Sequence, residues 1–376
     1  MEKNDEIRDT DNLCDKIKVH KDYSYKDSFD EVFTVKYDPS DQFLAYGCED
    51  GIIRLLDFGD YQLEEVKDSK NVHPKMRLKT TISRLDAFKK EAKGLKSPIT
   101  SLTWRTGEVT NPEDRHLVAC SSSGSIYTWK PAADELLNYI KEDNEIYCTD
   151  YSHYKDIFAT AGGDFRIRIY DYNTQEVLQS FSGASDDVLG HSNRIFSLKF
   201  HPNDSNILVS GGWDNLIFIW DLRKEKPVSH ILGPNISGEA VDICGDHILA
   251  GSYNNETNLY LMSLSEHKIT KEIEWYDTEA YKELNLAPPC VYSAQFSKPD
   301  ASYFIAGGTA RNEVRVFKNL DNFSSTKSVA CIANLKSACL SIDCTNTHKN
   351  GFAFGCANGT VKCFSIQDEA EEEKIS

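Results

Sequence analysis

One segment constrains the fold of this chain more than any other. Residues 190–223 read GHSNRIFSLKFHPNDSNILVSGGWDNLIFIWDLR and contain His191, Ser210, Asp214 and Trp220 in that order. An imidazole between strands can hydrogen-bond a turn carboxylate through one nitrogen and a serine hydroxyl through the other, while the hydroxyl also accepts from an indole N–H. Four polar groups would then be satisfied inside an apolar four-stranded unit. We therefore predict that these four side chains form a structural relay.

The same unit recurs along the chain. A strand, a tight turn and a second strand precede a bulky apolar residue seven times, and four of the six intervals between these residues lie between 41 and 50 residues. A four-stranded repeat of this kind is about 40 to 45 residues long. The seven positions are Leu56, Trp129, Tyr170, Trp220, Met262, Phe317 and Phe364, and the turn position of Asp214 is also occupied by Asp50, Ser123, Asp164 and Asn358.

These residues and spacings resemble the WD40 repeat family, and the resemblance covers residues 14–367. It implies an all-β chain that folds as a seven-bladed WD40 β-propeller closed by an N-terminal strand. The last repeat has only three strands before a polar tail, so we expect the segment from Cys14 to Tyr25 to supply its fourth strand and remove both open edges. We expect residues 1–13 to be disordered and residues 368–376 to form an acidic tail.

Two features of the repeats are unusual. Only one repeat has a Gly-His pair, and five have Leu, Tyr, Met or Phe in place of Trp, so we expect the other blades to depend on apolar packing.

Two insertions lengthen the spacing. Residues 62–97 contain ten Lys or Arg against five acids and predict a short helix from Ser83 to Gly94. This insertion forms a solvated loop, a docking arm for an acidic protein or a contact with nucleic acid. Residues 274–289 carry Trp275, Tyr276 and Tyr281, which either anchor an interface or pack against the blade rim.

Composition excludes several function classes. The 376 residues carry a formal charge of −17, which argues against nucleic acid as the principal partner. No run reaches the ~18 consecutive apolar residues of a membrane helix, and the N-terminus lacks an apolar signal segment. The eleven cysteines include no C-x-x-C pair, so we expect free buried thiols rather than a metal site. The chain also lacks the common hydrolase, zinc-protease and P-loop motifs.

We therefore expect a non-enzymatic protein with no cofactor, no metal and no small-molecule ligand. The resemblance implies a scaffold that binds other proteins within a multiprotein complex through the loops at its narrow face. Carried onto this sequence, the expected rim consists of Glu31, Glu49, Arg194 and Trp213, and the last two are of types enriched at interface hot spots.

Two finer predictions concern the partner. Trp220, Asp221, Leu222 and Arg223 resemble the WDxR box of propellers that serve as substrate receptors of cullin-RING ubiquitin ligases, with Asp221 orienting Arg223 towards the adaptor. The stretch of residues 230–264 is similar to a fifth repeat in WD40 proteins of ciliates and animals. Together with the basic insertion, it favours a cytoplasmic location with a ciliary or cytoskeletal complex, and a nuclear location stays open.

Overall fold

The computed structural model describes residues 6–368 with the exception of several short segments. These segments are 10–16, 27–29, 59–65, 69–70, 74–79, 87–96, 107–113, 153, 186–188, 225, 255–256, 277–288, 299, 321 and 348–350.

Seven antiparallel sheets follow one another along the chain, and each is one blade of a propeller. Each blade runs from an inner strand through a second and a third strand to an outer strand. Blade 1 contains β3 (Val32–Tyr37), β4 (Phe43–Cys48), β5 (Ile52–Asp57) and β8 (Thr80–Asp86); blade 2 contains β9 (Ile99–Trp104), β10 (Leu117–Ser121), β11 (Ser125–Lys130) and β12 (Glu135–Lys141); blade 3 contains β13 (Ile146–Tyr151), β14 (Ile157–Gly162), β15 (Ile167–Asp171) and β16 (Val177–Phe181).

The remaining four blades follow the same plan. Blade 4 contains β17 (Ile195–Phe200), β18 (Ile207–Gly212), β19 (Leu216–Asp221) and β20 (Pro227–Leu232); blade 5 contains β21 (Val241–Cys244), β22 (His247–Gly251), β23 (Leu259–Ser263) and β24 (Lys268–Glu272); blade 6 contains β25 (Cys290–Phe296), β26 (Tyr303–Thr309), β27 (Val314–Leu320) and β28 (Ser325–Ala333); blade 7 contains β29 (Cys339–Cys344), β30 (Gly351–Cys356), β31 (Thr360–Asp368) and β2 (Ile17–Lys26). A 3₁₀ turn spans Pro131–Ala133.

The strand registers confirm the seven predicted equivalent positions. Each bulky apolar residue of the sequence pattern lies on a third strand and pairs with an apolar residue of the second strand, as Trp220 does with Leu208. In the six blades whose outer strand follows the third strand, the pairing with the outer strand shifts at this same residue. A bulge of this kind bends the strand and increases its twist. The repeat is therefore conserved in backbone geometry from blade to blade, even where Trp is replaced.

The blades are joined by tightly packed apolar seams. Gly47 is the penultimate residue of a second strand, and a Cβ atom placed there would lie 2.4 Å from Ile99 of the next blade. Gly251 has the same relation to Val291, again at 2.4 Å. Since real carbon atoms do not approach so closely, glycine at the end of the second strand lets the neighbouring inner strand pack directly on the backbone.

The predicted closure of the ring is confirmed. β2 pairs antiparallel with β31, from Ile17 opposite Asp368 to Lys26 opposite Thr360, and it supplies the outer strand of blade 7. Asp368, predicted to begin the acidic tail, instead ends β31 and is buried. Its carboxylate accepts a hydrogen bond from Tyr303 Oη at 2.6 Å and pairs with the Lys318 ammonium, both from blade 6. The rest of the predicted tail lies outside the described residues.

Two predictions made for the termini and insertions were wrong. Residues 1–13 were expected to be disordered, but Glu6–Asp9 (β1) pair with Ala330–Ala333 as a fifth strand of blade 6. The predicted helix from Ser83 to Gly94 begins inside β8, which extends to Asp86 and pairs with β5; residues 87–94 lie outside the described residues. Pairing with β5 gives this segment backbone hydrogen bonds, and the resulting stabilisation exceeds the weak helix propensity of the segment. A short hairpin, β6 (Val66–Asp68) and β7 (Asn71–His73), occupies part of the basic insertion.

Three blades that lack the full relay were expected to rely on apolar packing, and this was wrong as well. Arginines lie two residues before the bulky apolar residue of the third strand in blades 1, 3 and 6, and each pairs with an acid from the preceding turn. Arg54 binds Asp50 through both terminal nitrogens, at 3.1 and 2.6 Å, in a buried bidentate pair. A buried pair of this geometry satisfies the charges that burial would otherwise penalise.

A candidate protein-binding face at the mouth of the channel

The relay of blade 4 fixes the loop that carries two predicted rim residues. His191 Nδ1 lies 2.7 Å from Asp214 Oδ2, and His191 Nε2 lies 2.7 Å from Ser210 Oγ. The Ser210 hydroxyl also accepts from Trp220 Nε1 at 2.8 Å. Asp214 caps the turn by accepting from the backbone N–H of Leu216 at 3.2 Å. The loop before the inner strand is thereby tied to the turn between the second and third strands.

Arg194 and Trp213 lie side by side on this face, which we call the turn face because the turns between second and third strands form it. The Arg194 guanidinium carbon lies 5.6 Å from the Trp213 ring centroid. Trp213 packs on Phe196 with centroids 4.9 Å apart, and Phe196 stacks on Tyr147 of blade 3 at 4.8 Å. Trp213 also donates from Nε1 to Ser237 Oγ at 2.8 Å, yet 41% of its surface is exposed. The side chain is thus held in place and still open to a partner.

A second, deeper feature of the turn face was missed by sequence reasoning. In six blades the pairing between the inner and second strands skips one residue near the start of the inner strand, so that this residue sits at a bulge. Bulges re-aim side chains. The residues at these positions are Phe33, Thr100, Tyr147, Phe196, Tyr292 and Leu340.

Five of the bulge residues line a cavity of about 230 Å³, which we call the mouth cavity. Its walls come from six blades, so it lies on the propeller axis, at the end of the central channel. The full lining consists of Phe33, Pro98, Thr100, Ser122, Tyr147, Phe196, Gly238, Glu239 and Tyr292. The signal in the sequence was the residue after the first apolar position of each inner strand, as in VFTV, IYCT, IFSL and VYSA.

Glu239 is the one acidic residue in the lining of the mouth cavity. Its carboxylate accepts from Ser101 Oγ at 2.8 Å and from Ser341 Oγ at 3.3 Å, and it pairs with Lys36 Nζ at 2.9 Å. Lys36 lines the deeper cavities of the channel but not the mouth. Only about 16% of the Glu239 side chain is exposed. The mouth cavity therefore combines aromatic walls with one carboxylate.

Below the mouth, hydroxyl and carboxylate side chains join neighbouring inner strands. The Ser101, Ser197, Ser293 and Ser341 hydroxyls each accept a backbone N–H from the next blade, at 3.0 to 3.2 Å. The Asp150, Asp242 and Asp343 carboxylates do the same one layer deeper, at 2.6 to 2.9 Å. These channel acids are engaged in holding the ring together. Among the described residues no group of three or more His, Cys, Asp and Glu side chains could hold a metal ion.

The two predicted acidic rim residues lie on blade 1. The backbone N–H of Glu49 donates to the Glu31 carbonyl at 2.9 Å, and the Glu49 side chain is exposed. Burial, with a smaller contribution from Glu49, raises the pKa of Glu31. Glu31 directly precedes the inner strand that carries Phe33, so it places negative charge beside the mouth cavity. Arg194 and Glu31 hence border the same opening from different blades.

The proposed adaptor residues have a different environment. Arg223 Nε and Nη2 contact the two Asp221 carboxylate oxygens at 2.8 and 2.9 Å, and 65% of the Arg223 side chain is exposed. Hydrogen bonding from Arg223 holds the pKa of Asp221 at about 2. The guanidinium is oriented but not buried, and it does not line the mouth cavity.

The aromatics of the second insertion pack against the blade rather than face solvent. Trp275 is buried, and its indole N–H donates to the Glu313 carboxylate of blade 6. Arg315 lies 4.8 Å from the Tyr276 ring centroid and 3.4 Å from Glu313. Tyr281 lies outside the described residues. Trp275 and Tyr276 therefore complete the polar core of blade 6.

Comparison with known proteins agrees with this architecture. The model of the family described as "WD domain, G-beta repeat" matches residues 20–57 and 179–221, which are the closing strand with blade 1 and the relay blade. The chain is a WD40-repeat propeller. Within the described residues of this propeller, no helix is both long and apolar enough to cross a membrane.

Its relatives are WD-repeat proteins matched over parts of their length. A ribosome biogenesis protein WDR12 homolog of Culex quinquefasciatus is 25% identical over 39% of this chain and 34% of that protein. A U3 small nucleolar RNA-associated protein 21 homolog of Schizosaccharomyces pombe is 26% identical over 44% and 18%. Methylosome protein WDR77 of Xenopus laevis is 27% identical over 31% and 35%. The chain spans about a third of these relatives or less.

Proposed function

We propose that this WD40 propeller is a non-enzymatic scaffold that binds partner proteins through its turn face. The observation that carries the proposal is the continuous aromatic surface from Trp213 through Phe196 and Tyr147 into the mouth cavity. Aromatic and arginine side chains around a concave centre are the composition of interface hot spots. Arg194 and Glu31 at the border supply polar contacts of both signs, which favour orientation and specificity over bulk affinity.

The identity of the assembly is a separate proposal. The ciliary or cytoskeletal association predicted from the basic insertion stays a prediction. Two of the relatives are named for ribosome biogenesis and for the U3 small nucleolar RNA. A nuclear assembly that contains RNA should therefore be tested alongside a ciliary or cytoskeletal one. The acidic chain itself argues that the propeller contacts proteins in such an assembly.

A photocrosslinking experiment tests the proposed face. A benzophenone amino acid replaces Trp213 in one variant and Leu178 in a matched control; Leu178 is also exposed but lies on the outer strand of blade 3. Both variants are expressed in native cells, and crosslinked proteins are identified in nuclear and cytoplasmic fractions. We expect a stoichiometric partner from position 213, which Arg194→Ala weakens about tenfold or more. The same partners at equal yield from both positions would contradict the proposal.

A second candidate function rests on the exposed, bidentate pair of Arg223 with Asp221. An oriented, solvent-facing guanidinium is suited to the carboxylates or carbonyls of an adaptor. If the propeller is a substrate receptor of a cullin-RING ligase, Arg223→Ala removes a cullin adaptor from the purified complex, whereas Lys268→Ala on blade 5 does not. Recovery of the adaptor with Arg223→Ala, or its absence from the wild-type complex, would exclude this role.

A further inference from the structure

We propose that the mouth cavity binds a positively charged side chain of the partner, a lysine, a methylated lysine or an arginine. This inference rests on the proposed function, because it assigns the chemistry of the side chain that enters the turn face. It is carried by three properties of the cavity: its size, its aromatic walls and the carboxylate in its lining.

The size restricts the occupant to a single side chain. The cavity measures about 230 Å³, and pockets for drug-sized ligands span about 300–1,000 Å³. Hydrogen bonds below the mouth link blades 2 to 6 in succession and connect blade 6 to blade 1 through blade 7. The space is therefore preformed, and a partner does not need to open it.

The walls favour a cation. Phe33, Tyr147, Phe196 and Tyr292 present four aromatic rings, and the faces of such rings attract ammonium and guanidinium groups. Burial raises the pKa of Tyr292 to about 12, so its phenol is neutral at physiological pH. None of the lining residues is a lysine or an arginine.

The Glu239 carboxylate decides between a cation and an apolar group. An apolar occupant would remove the remaining water from Glu239 without providing a new partner, which burial of a charge penalises. An anionic occupant would be repelled. A cation would approach the carboxylate from the mouth, opposite the deeper Lys36, in a site of low dielectric where the attraction is strong.

The proposal is tested with four short peptides of sequence Gly-Gly-X-Gly-Gly, blocked at both ends, in which X is arginine, trimethyl-lysine, norleucine or glutamate. Binding to the full chain is measured by titration of the Trp213 indole N–H resonance, since Trp213 packs directly on Phe196 of the cavity wall. We expect arginine or trimethyl-lysine to bind at least about tenfold more tightly than norleucine, and glutamate to bind least. Equal or tighter binding of norleucine would overturn the proposal.

Variants assign the effect to the cavity. Glu239→Gln keeps one acceptor oxygen, for either Ser101 or Lys36, and removes the charge, so we expect it to reduce the preference for cations over norleucine about tenfold. Glu266→Gln, an exposed carboxylate on the same blade, is the matched control and should change nothing. If Glu239→Gln does not fold, Tyr292→Leu decides: it should weaken the cationic peptides and leave norleucine unchanged. Retained cation preference in the variant that folds would overturn the proposal.

The two proposals fail in different ways. A partner that crosslinks at position 213, together with no preference among the four peptides, would refute the cation site and leave the turn face as the interface. A clear preference for cations without a partner at position 213 would refute the proposed interface as tested and retain the site. The first result would exclude only a cationic side chain of the partner in the mouth cavity, and the second would exclude the turn face as the partner's binding surface.

Discussion

Ser210 is the point at which the relay of blade 4 can be broken with the smallest change. Its hydroxyl contacts His191 Nε2 at 2.7 Å and accepts from Trp220 Nε1 at 2.8 Å, and all three side chains are fully buried. Ser210→Ala leaves two buried polar groups without a partner. Each unsatisfied group costs about 1–3 kcal/mol, so we expect a loss of about 2–6 kcal/mol in the free energy of unfolding. Native proteins are stable by about 5–15 kcal/mol, so this loss is readily measured.

The chain offers a matched control for this prediction. Ser237 also accepts from a tryptophan indole N–H at 2.8 Å, but that indole belongs to the partly exposed Trp213. Water can replace the Ser237 hydroxyl there, so Ser237→Ala should cost less than about 1 kcal/mol. Urea unfolding monitored by tryptophan fluorescence compares the two variants. Equal shifts of the midpoint would refute the reasoning, because it requires the buried partners of Ser210 to lose more than the partly exposed partner of Ser237.

Three further predictions follow from other parts of the propeller. Arg223→Ala should return the pKa of Asp221 from about 2 towards 3.8 in an NMR titration. In the wild type, the pair stabilises the fold fully above pH ~4 and less as the pH falls through ~2. An unchanged pKa in the variant would contradict this prediction. Deleting residues 1–9 should uncover the edge of β28 and cause self-association in light scattering, whereas a monomer of unchanged melting temperature would show that this edge needs no cover. Thiol labelling of the native protein should reach Cys244 and Cys290 before the eight buried cysteines that the structure describes, and early labelling of a buried site would indicate local opening.

The architecture could be predicted because its signal is periodic and repeated. The seven third-strand positions were all correct, including Met262 and Phe317 behind lengthened turns, since each lies opposite an apolar second-strand residue in the same register. Ring closure was also predictable from counting strands. The N-terminal strand Glu6–Asp9 was not, because the four-stranded repeat has no place for a fifth strand and a polar segment shows no local preference for a strand.

The polar interior was predicted only where it followed a known template. The His191 relay has a recognisable residue order. In blades 1 and 6, by contrast, Arg54 and Arg315 form ion pairs with nearby acids, and the template contains no such pairs. The mouth cavity was missed for a related reason. Its aromatic residues look like ordinary strand residues until the bulge turns them to the axis, and Glu239 comes from the one blade whose inner strand has no such bulge.

The closing strand also determines when the ring can close during translation. Ile17 pairs with Asp368, so the first strand of the ring must wait until 351 further residues have been translated. At about 5–20 residues per second, this delay is roughly 20–70 s. During most of that interval β1 and β2 both lack their partners, because β28 ends at Ala333 and β31 ends at Asp368. The nascent chain therefore carries two unpaired strands near its N-terminus during synthesis, and unpaired strands can pair with other chains until the ring closes.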